Sequence, residues 1–282
     1  MIRNALTVDV EDYFHVSAFS NHINRKDWDS HSSRVQDNTR RLLELFEHYE
    51  VTATFFVLGW VAERAGTLIR EIVSRGHEVA CHGYSHDLVY NQSPDVFREE
   101  TLHSKALLED LIQAPVRGYR AASYSITQRS CWALDILVEA GFEYDSSIFP
   151  VRHDRYGIPE ANPYPHLLET PGGHTIVEFP LSTAQVLNYR LPVAGGGYFR
   201  LYPYTVTRAG LNQINRQGIP FIFYLHPWEI DPDQPRIAAG RLSRFRHYNN
   251  LGKCETRLRR LLEDFRFGPA RDVLRDVELL QD

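Results

Sequence analysis

The chain has 282 residues, 43% hydrophobic and 12% aromatic, enough for a substantial core in one large α/β domain or two small ones. Its 31 basic and 36 acidic side chains leave a net charge of −5, so no global basic field suggests nucleic acid. Three widely spaced cysteines, Cys81, Cys131 and Cys254, make no disulfide framework and fit a reducing compartment. The first residues show no secretory pattern, and no stretch is apolar for long enough to span a bilayer. The expectation is a soluble cytoplasmic protein without a transmembrane segment.

Ala5 to Val10 reads as a buried strand that ends in acid at Asp9, Glu11 and Asp12. Val35, Thr39, Leu42, Leu43, Phe46 and Tyr49 follow helical spacing. Residues 52–58 are β-branched and aromatic, a second strand. Leu68, Ile69, Ile72 and Val73 mark a helix that Gly76 closes. His77 to Cys81 is a third strand. Ser93-Pro94 places a capping serine before a proline at the first helical position, and that helix runs to about Ile112. Val116–Arg120 and Phe142–Asp145 are further strands, with a helix between them. Residues 146–175 read as one long loop rich in proline, glycine and histidine. Ile176–Leu181 and Ile219–Leu225 are the last two strands, separated by a helix around Leu211 and Ile214. Residues 230–252 read as irregular, and Leu258 to Phe265 as a final amphipathic helix.

Strand and helix alternate about seven times, which implies a parallel α/β sheet, either open or closed as a barrel. No repeat, low-complexity tract or linker divides residues 1–282, so a single domain is expected. Five strands end in an ionisable residue: Asp9, His82, Arg120, Asp145 and His226. In a β/α barrel such ends converge on one face, where active sites lie.

Those residues suit metal-assisted hydrolysis of an amide or ester. His82 and His86 lie on one face, about 5–6 Å apart at Cβ, if the chain turns helical there. A catalytic zinc takes three protein ligands and a water, and a carboxylate is a common third. Alternation turns Asp9 and Glu11 to the same side of the first strand, and Asp12 reaches the site if the strand has ended. One carboxylate would hold the metal while another takes a proton from water. His226, with an ordinary pKa near neutral, suits the general acid. Asp145 could orient that histidine, and Arg120 could fix the base. Gly195-Gly196-Gly197 lacks the strand–loop–helix setting of a phosphate site. His15, His22, His31, His153, His166, His174 and His247 are assigned to the surface or to loops.

The set resembles the polysaccharide deacetylases, the NodB-homology or carbohydrate esterase family 4 proteins. Thr7-Val8-Asp9-Val10-Glu11-Asp12 is similar to their Thr-Phe-Asp-Asp motif, His82 to His86 to their His-Ser/Thr-x-x-His, and Arg120 to Tyr124 to their third motif. Asp145-Ser146-Ser147 matches the fourth, and Tyr224-Leu225-His226 the fifth. The resemblance covers about residues 5–230 and implies a distorted (β/α)7 barrel that deacetylates an N-acetylated carbohydrate with a divalent ion, zinc above all. It implies Asp9 as base, His226 as acid, and Arg120 and Asp145 as their supports. His82, His86 and either Glu11 or Asp12 are the implied ligands. A backbone N–H at Tyr124 would hold the oxyanion, and Tyr124, Leu225 and Trp228 would meet substrate, with Phe149 and Tyr198 as further aromatics of the cleft. Val10 interrupts the family's adjacent acids, Gly83 stands where Ser or Thr is usual, and the third motif lacks its proline. The stretches Asp9–Phe14, Gly196–Arg200, His226–Glu229 and 249–267 look like a subgroup tied to exosortase-type exopolysaccharide loci, with a family-specific extension over about 230–282. Two rival readings are an amidohydrolase opening a cyclic imide or ureide, and a non-catalytic carbohydrate-binding relative.

Overall fold

The computed structural model describes residues 2–281. Its centre is β1 (Arg3–Val10), buried along all but its first residue. β1 pairs in parallel with β2 (Thr54–Val57), which pairs with β3 (Glu78–Cys81). β4 (Gly118–Tyr119), β5 (Tyr144–Asp145) and β7 (Thr175–Glu178) continue the sheet in parallel. On the other side β1 pairs with β10 (Ile222–Leu225) and, at its start, with β11 (Arg266–Gly268). The residues expected to form a loop at 146–175 include β6 (His166–Glu169), which adds an antiparallel edge to β7.

The ladder does not run from β7 directly to β10. A hairpin of β8 (Thr183–Val186) and β9 (Tyr189–Pro192) stands between them, and irregular chain beside it bridges the gap. Ile222 N–H donates to Ser182 Oγ and Tyr224 N–H to the Ala194 carbonyl. Gly195, at φ +130°, makes this approach possible: a Cβ there would stand 1.9 Å from the Tyr224 carbonyl oxygen. The curled parallel sheet thus has the α/β architecture expected, with one irregular seam.

Strand alternation divides the core. Leu6, Val8, Phe55 and Val57 face the surrounding helices, among them α1 (Val35–His48), Gly66–Ser74 and Pro94–Ile112. Ala5, Phe56, Ala80, Tyr144, Val177 and Ile222 fill the inner face. The chain's last helix, Ala270–Asp276, begins against the starts of the strands, where Ala270 N–H donates to Thr54 Oγ1 and Arg271 N–H to Glu78. That end is filled, and the opposite end, past the strand C-termini, is left open for polar groups.

Two expectations need correction. Residues 230–252 are not wholly irregular, since Arg241–Tyr248 is helical. The His82–His86 stretch is not helical either. It is a loop with Gly83 at φ +71° and His86 at φ +54°, left-handed conformations that an α-helix excludes. Gly59 N–H donates to the Gly83 carbonyl at 2.8 Å, and Trp60 N–H to the Tyr84 carbonyl at 3.2 Å. The loop therefore serves as the acceptor for the start of the helix at Gly59–Arg64.

Buried His77 links β2 to β3, its Nδ1 accepting from Ala53 N–H at 3.1 Å. Burial pushes its pKa down to about 4. An unfolded chain therefore binds a proton between pH 6.5 and 4 that the folded chain refuses, and stability falls as pH drops through this window. Urea titrations at pH 7 and 4.5 should show this loss, and His77→Gln should reduce it by roughly 1–3 kcal/mol.

Candidate active site

Past the ends of β1, β3, β4 and β10 lies a cavity of about 200 Å³ lined by Asp9, Glu11, His82, His86, Tyr124 and His226, among others. Asp9 is the last inward-facing residue of β1, in phase with Ala5 and Thr7. Glu11 follows the strand, where a Glu11 N–H to Asp9 carbonyl bond of 2.9 Å tightens the backbone. Both carboxylates are buried, as are the imidazoles of His82 and His86.

Arg120 is 0% exposed. Its Nη1 donates to Asp9 Oδ1 at 2.6 Å and to Thr7 Oγ1 at 2.8 Å, and Nε and Nη2 donate to the carbonyl and hydroxyl of Ser146. Its carbonyl accepts from His82 Nδ1 at 2.7 Å. That bond places the His82 proton on Nδ1 and leaves the Nε2 lone pair for a ligand.

Donor atoms of Glu11, His82 and His86 all lie within 4.8 Å of one another. Glu11 Oε2 stands 2.7 Å from His86 Nε2, yet this buried oxygen has no hydrogen-bond partner among the described residues. An orphaned carboxylate oxygen facing two imidazoles fits a divalent cation of the zinc type. Burial would raise the Glu11 pKa, but the charges of His86 and His226 outweigh it and hold the carboxyl well below the usual range. Burial lowers that of His82 to about 4, so its ring is neutral and able to coordinate.

Asp12 lies outside this group. Its Oδ2 accepts from Ser33 Oγ and the backbone N–H groups of Arg34 and Val35, and its Oδ1 from Tyr13 N–H. It caps α1, which has no capping side chain of its own. Its backbone N–H meets His15 Nδ1 at 2.9 Å.

His226 sits 3.3 Å from Glu11 Oε1 and 3.9 Å from Asp9 Oδ2. Asp145 does not orient it, because that carboxylate is occupied by the hydroxyl and N–H of Ser147. Glu229 takes the place instead, its Oε2 accepting from both the backbone N–H and Nδ1 of His226. Its other oxygen accepts from buried Arg200 Nε at 2.6 Å. Pro227 opens a single 3-10 turn that brings Glu229 back over His226. Burial disfavours the imidazolium, but Glu11, Glu229 and Asp9 outweigh it and raise the His226 pKa to about 9. Glu229 itself, facing Arg200 and His226, is held at about 2 despite burial.

Tyr124 lines the cavity with its hydroxyl 3.4 Å from Asp9 Oδ2. Its backbone N–H, expected to serve the oxyanion, donates to the Ala121 carbonyl instead. Ser123 and Tyr124 are both left-handed, at φ +50° and +55°, a local strain that sets the tyrosine ring over the site. Leu225, expected at the substrate, points to the other face of β10 and is buried in the outer core beside Val8. Trp228 lines the cavity, stacked between His226 and His247 at centroid distances of 4.9 and 4.2 Å, with its Nε1 donating to Glu11. His247, assigned from sequence to the surface, is buried, and His15 is buried too. Phe149 stays within the inner core, and Tyr198 at its margin bonds Tyr156.

Glu229, Arg200 and His247 escaped the sequence reading as site residues. Glu229 had a local signal, the His-Pro-Trp-Glu spacing of a capped turn. Arg200 and His247 had none, since their contacts span 29 and 19 positions respectively.

Residues 27–144 match the family model described as polysaccharide deacetylase, and residues 146–275 match a domain of unknown function, DUF3473. The chain is 33% identical over 108 residues to a peptidoglycan deacetylase of Helicobacter pylori, covering 38% of this chain and 36% of that protein. It is 37% identical over 100 residues to a chitooligosaccharide deacetylase of Sinorhizobium fredii, covering 35% of this chain and 44% of that protein. Each match spans less than half of the relative's length. A solved structure described as a polysaccharide deacetylase from Mycobacterium smegmatis shares the fold, with TM-score 0.64 and 19% identity over 98% of this chain and 91% of that one. Residues 27–144 therefore resemble the polysaccharide deacetylases, and the segment matching DUF3473 supplies part of the same cleft.

Proposed function

We propose that the cleft removes N-acetyl groups from N-acetylhexosamine units of a polysaccharide or its precursor, in bacterial exopolysaccharide biosynthesis. One observation carries this reading: the three donor atoms of Glu11, His82 and His86 face Asp9 and His226 across a single cavity. The names of the two sequence relatives supply the substrate class. The three unpaired cysteines accord with a cytoplasmic location, and no described helix is long and apolar enough to cross a membrane.

Glu11, His82 and His86 would hold the metal, with zinc the best match to one carboxylate and two imidazoles. When bound, such an ion polarises the acetyl carbonyl and lowers the pKa of water. Asp9, held by Arg120, accepts the proton of the attacking water at Oδ2. His226 gives its proton to the departing amine, with Glu229 keeping the ring charged and oriented. Acetate and a free hexosamine leave. Tyr124 lines the cavity where the sugar would lie, whereas both faces of Trp228 are taken by His226 and His247.

Purified protein loaded with zinc should release acetate from chitooligosaccharides or N-acetylated peptidoglycan fragments. Failure on every N-acetylhexosamine substrate, with hydrolysis of a cyclic imide or ureide instead, would replace the reading. Binding of sugar without any turnover would favour the non-catalytic alternative. His226→Ala should lower kcat/KM by roughly 10²–10⁴-fold. Glu229→Gln removes a charge that favours imidazolium, so the alkaline limb of the pH–rate profile should move down by about one unit.

The choice of ligand is separable from stability. Elemental analysis after dialysis should find the metal lost in Glu11→Ala and His82→Ala. It should be retained in Asp12→Ala, which instead loses roughly 1–2 kcal/mol of folding free energy as a helix cap is removed.

A further inference from the structure

Residues 236–253 contain five basic side chains, Arg236, Arg241, Arg244, Arg246 and Lys253, and no acidic one, in a chain whose net charge is −5. The middle of this stretch is the helix Arg241–Tyr248. His247 turns one side of it inward onto Trp228. Leu242 and Phe245, one turn apart on the outer side, are 62% and 56% exposed. Leu201, 46% exposed, lines the same hollow of about 360 Å³. That hollow runs into the catalytic cleft, with which it shares Tyr156, Gly197 and Arg246.

The surrounding cations are not used up by the fold. Arg246 approaches Asp154 at 4.0 Å, and Arg236 covers the Tyr248 ring. Arg241 and Arg244 make no ion pair among the described residues. Apolar side chains at the centre of a cationic rim match one kind of surface closely: an apolar boundary beneath a layer of negative head groups. An uncharged apolar partner would leave the arginines unanswered, and a free polyanion would leave Leu242 and Phe245 unanswered.

We propose that this face docks the protein on an anionic phospholipid bilayer, with the mouth of the cleft against the lipid surface. Leu242, Phe245 and Leu201 enter the boundary of the acyl chains, and Arg241 and Arg244, beside Phe245, meet head-group phosphates. The inference is independent of the deacetylase reading, because binding is scored without turnover.

The test is flotation of the full chain with vesicles of phosphatidylcholine alone or mixed with phosphatidylglycerol. Binding is expected only to the mixed vesicles and should weaken as salt rises. The pair Leu242→Ser and Phe245→Ser, and separately the pair Arg241→Glu and Arg244→Glu, should each weaken it at least roughly 10-fold. Arg216→Glu, an exposed change in the turn that follows the helix Tyr204–Asn215, should leave it intact, and circular dichroism should show all variants folded. Absence of binding, equal binding to neutral vesicles, or binding that ignores both double variants would overturn the proposal. So would a dimer in sedimentation velocity that the serine pair abolishes, which would assign the face to a second copy of the chain.

Discussion

A guanidinium shut off from water must find its acceptors inside the protein or cost the fold several kcal/mol. Arg120 finds them on Thr7, Asp9 and Ser146, and its ring-facing side lies 4.1 Å from the centre of Phe56. These partners belong to β1, β2 and the end of β5. The carbonyl of the same residue fixes His82 past the end of β3. One buried cation therefore sets the position of the carboxylate proposed as base and the tautomer of an imidazole proposed as ligand. Lysine could not replace it, because an ammonium lacks the planar fork that reaches β1 and Ser146 together.

A second charged chain runs into the site from the other direction. Arg200, Glu229, His226 and Glu11 alternate in sign and are linked by successive contacts of 2.6, 3.1 and 3.3 Å. Arg200, Glu229 and Glu11 are buried and His226 is mostly so, and each charge is answered by its neighbours. Alternation of this kind lets a cavity hold several ionised groups without a large net charge, which isolated burial would not allow.

The sequence made most strands of the parallel sheet and their polar ends readable, because period-two burial and β-branched runs are local signals. Asp9, His82, Arg120 and His226 all fall where strand ends converge. What failed was long-range or conformational. Asp12 looks like a ligand in a row of acids, yet it serves a helix start 21 to 23 residues later. Asp145 sits at the expected strand end but spends its oxygens on Ser147. The His82–His86 spacing suggested a helical face, whereas two left-handed residues bring the rings to 5.5 Å without one. Leu225 stands next to a site histidine in sequence and on the opposite face of its strand in space, as alternation requires. The hairpin 183–192 and the Arg200 contacts depend on the irregular seam, whose pairing no local pattern encodes.

The two family matches meet at residues 144 and 146, and this junction has no counterpart in the molecule. It falls at β5, within a sheet whose hydrogen bonds run without interruption from β4 through β5 to β7. The inner strand β1 takes its neighbour β10 from the far side of the junction, and Glu11 faces His226 across it. Glu11, His82 and His86 lie before the junction, and His226, Glu229 and Trp228 lie after it. For this chain, the sheet and the cleft join the two matched segments into one α/β unit, and the segment named for its unknown function supplies part of the pocket's wall.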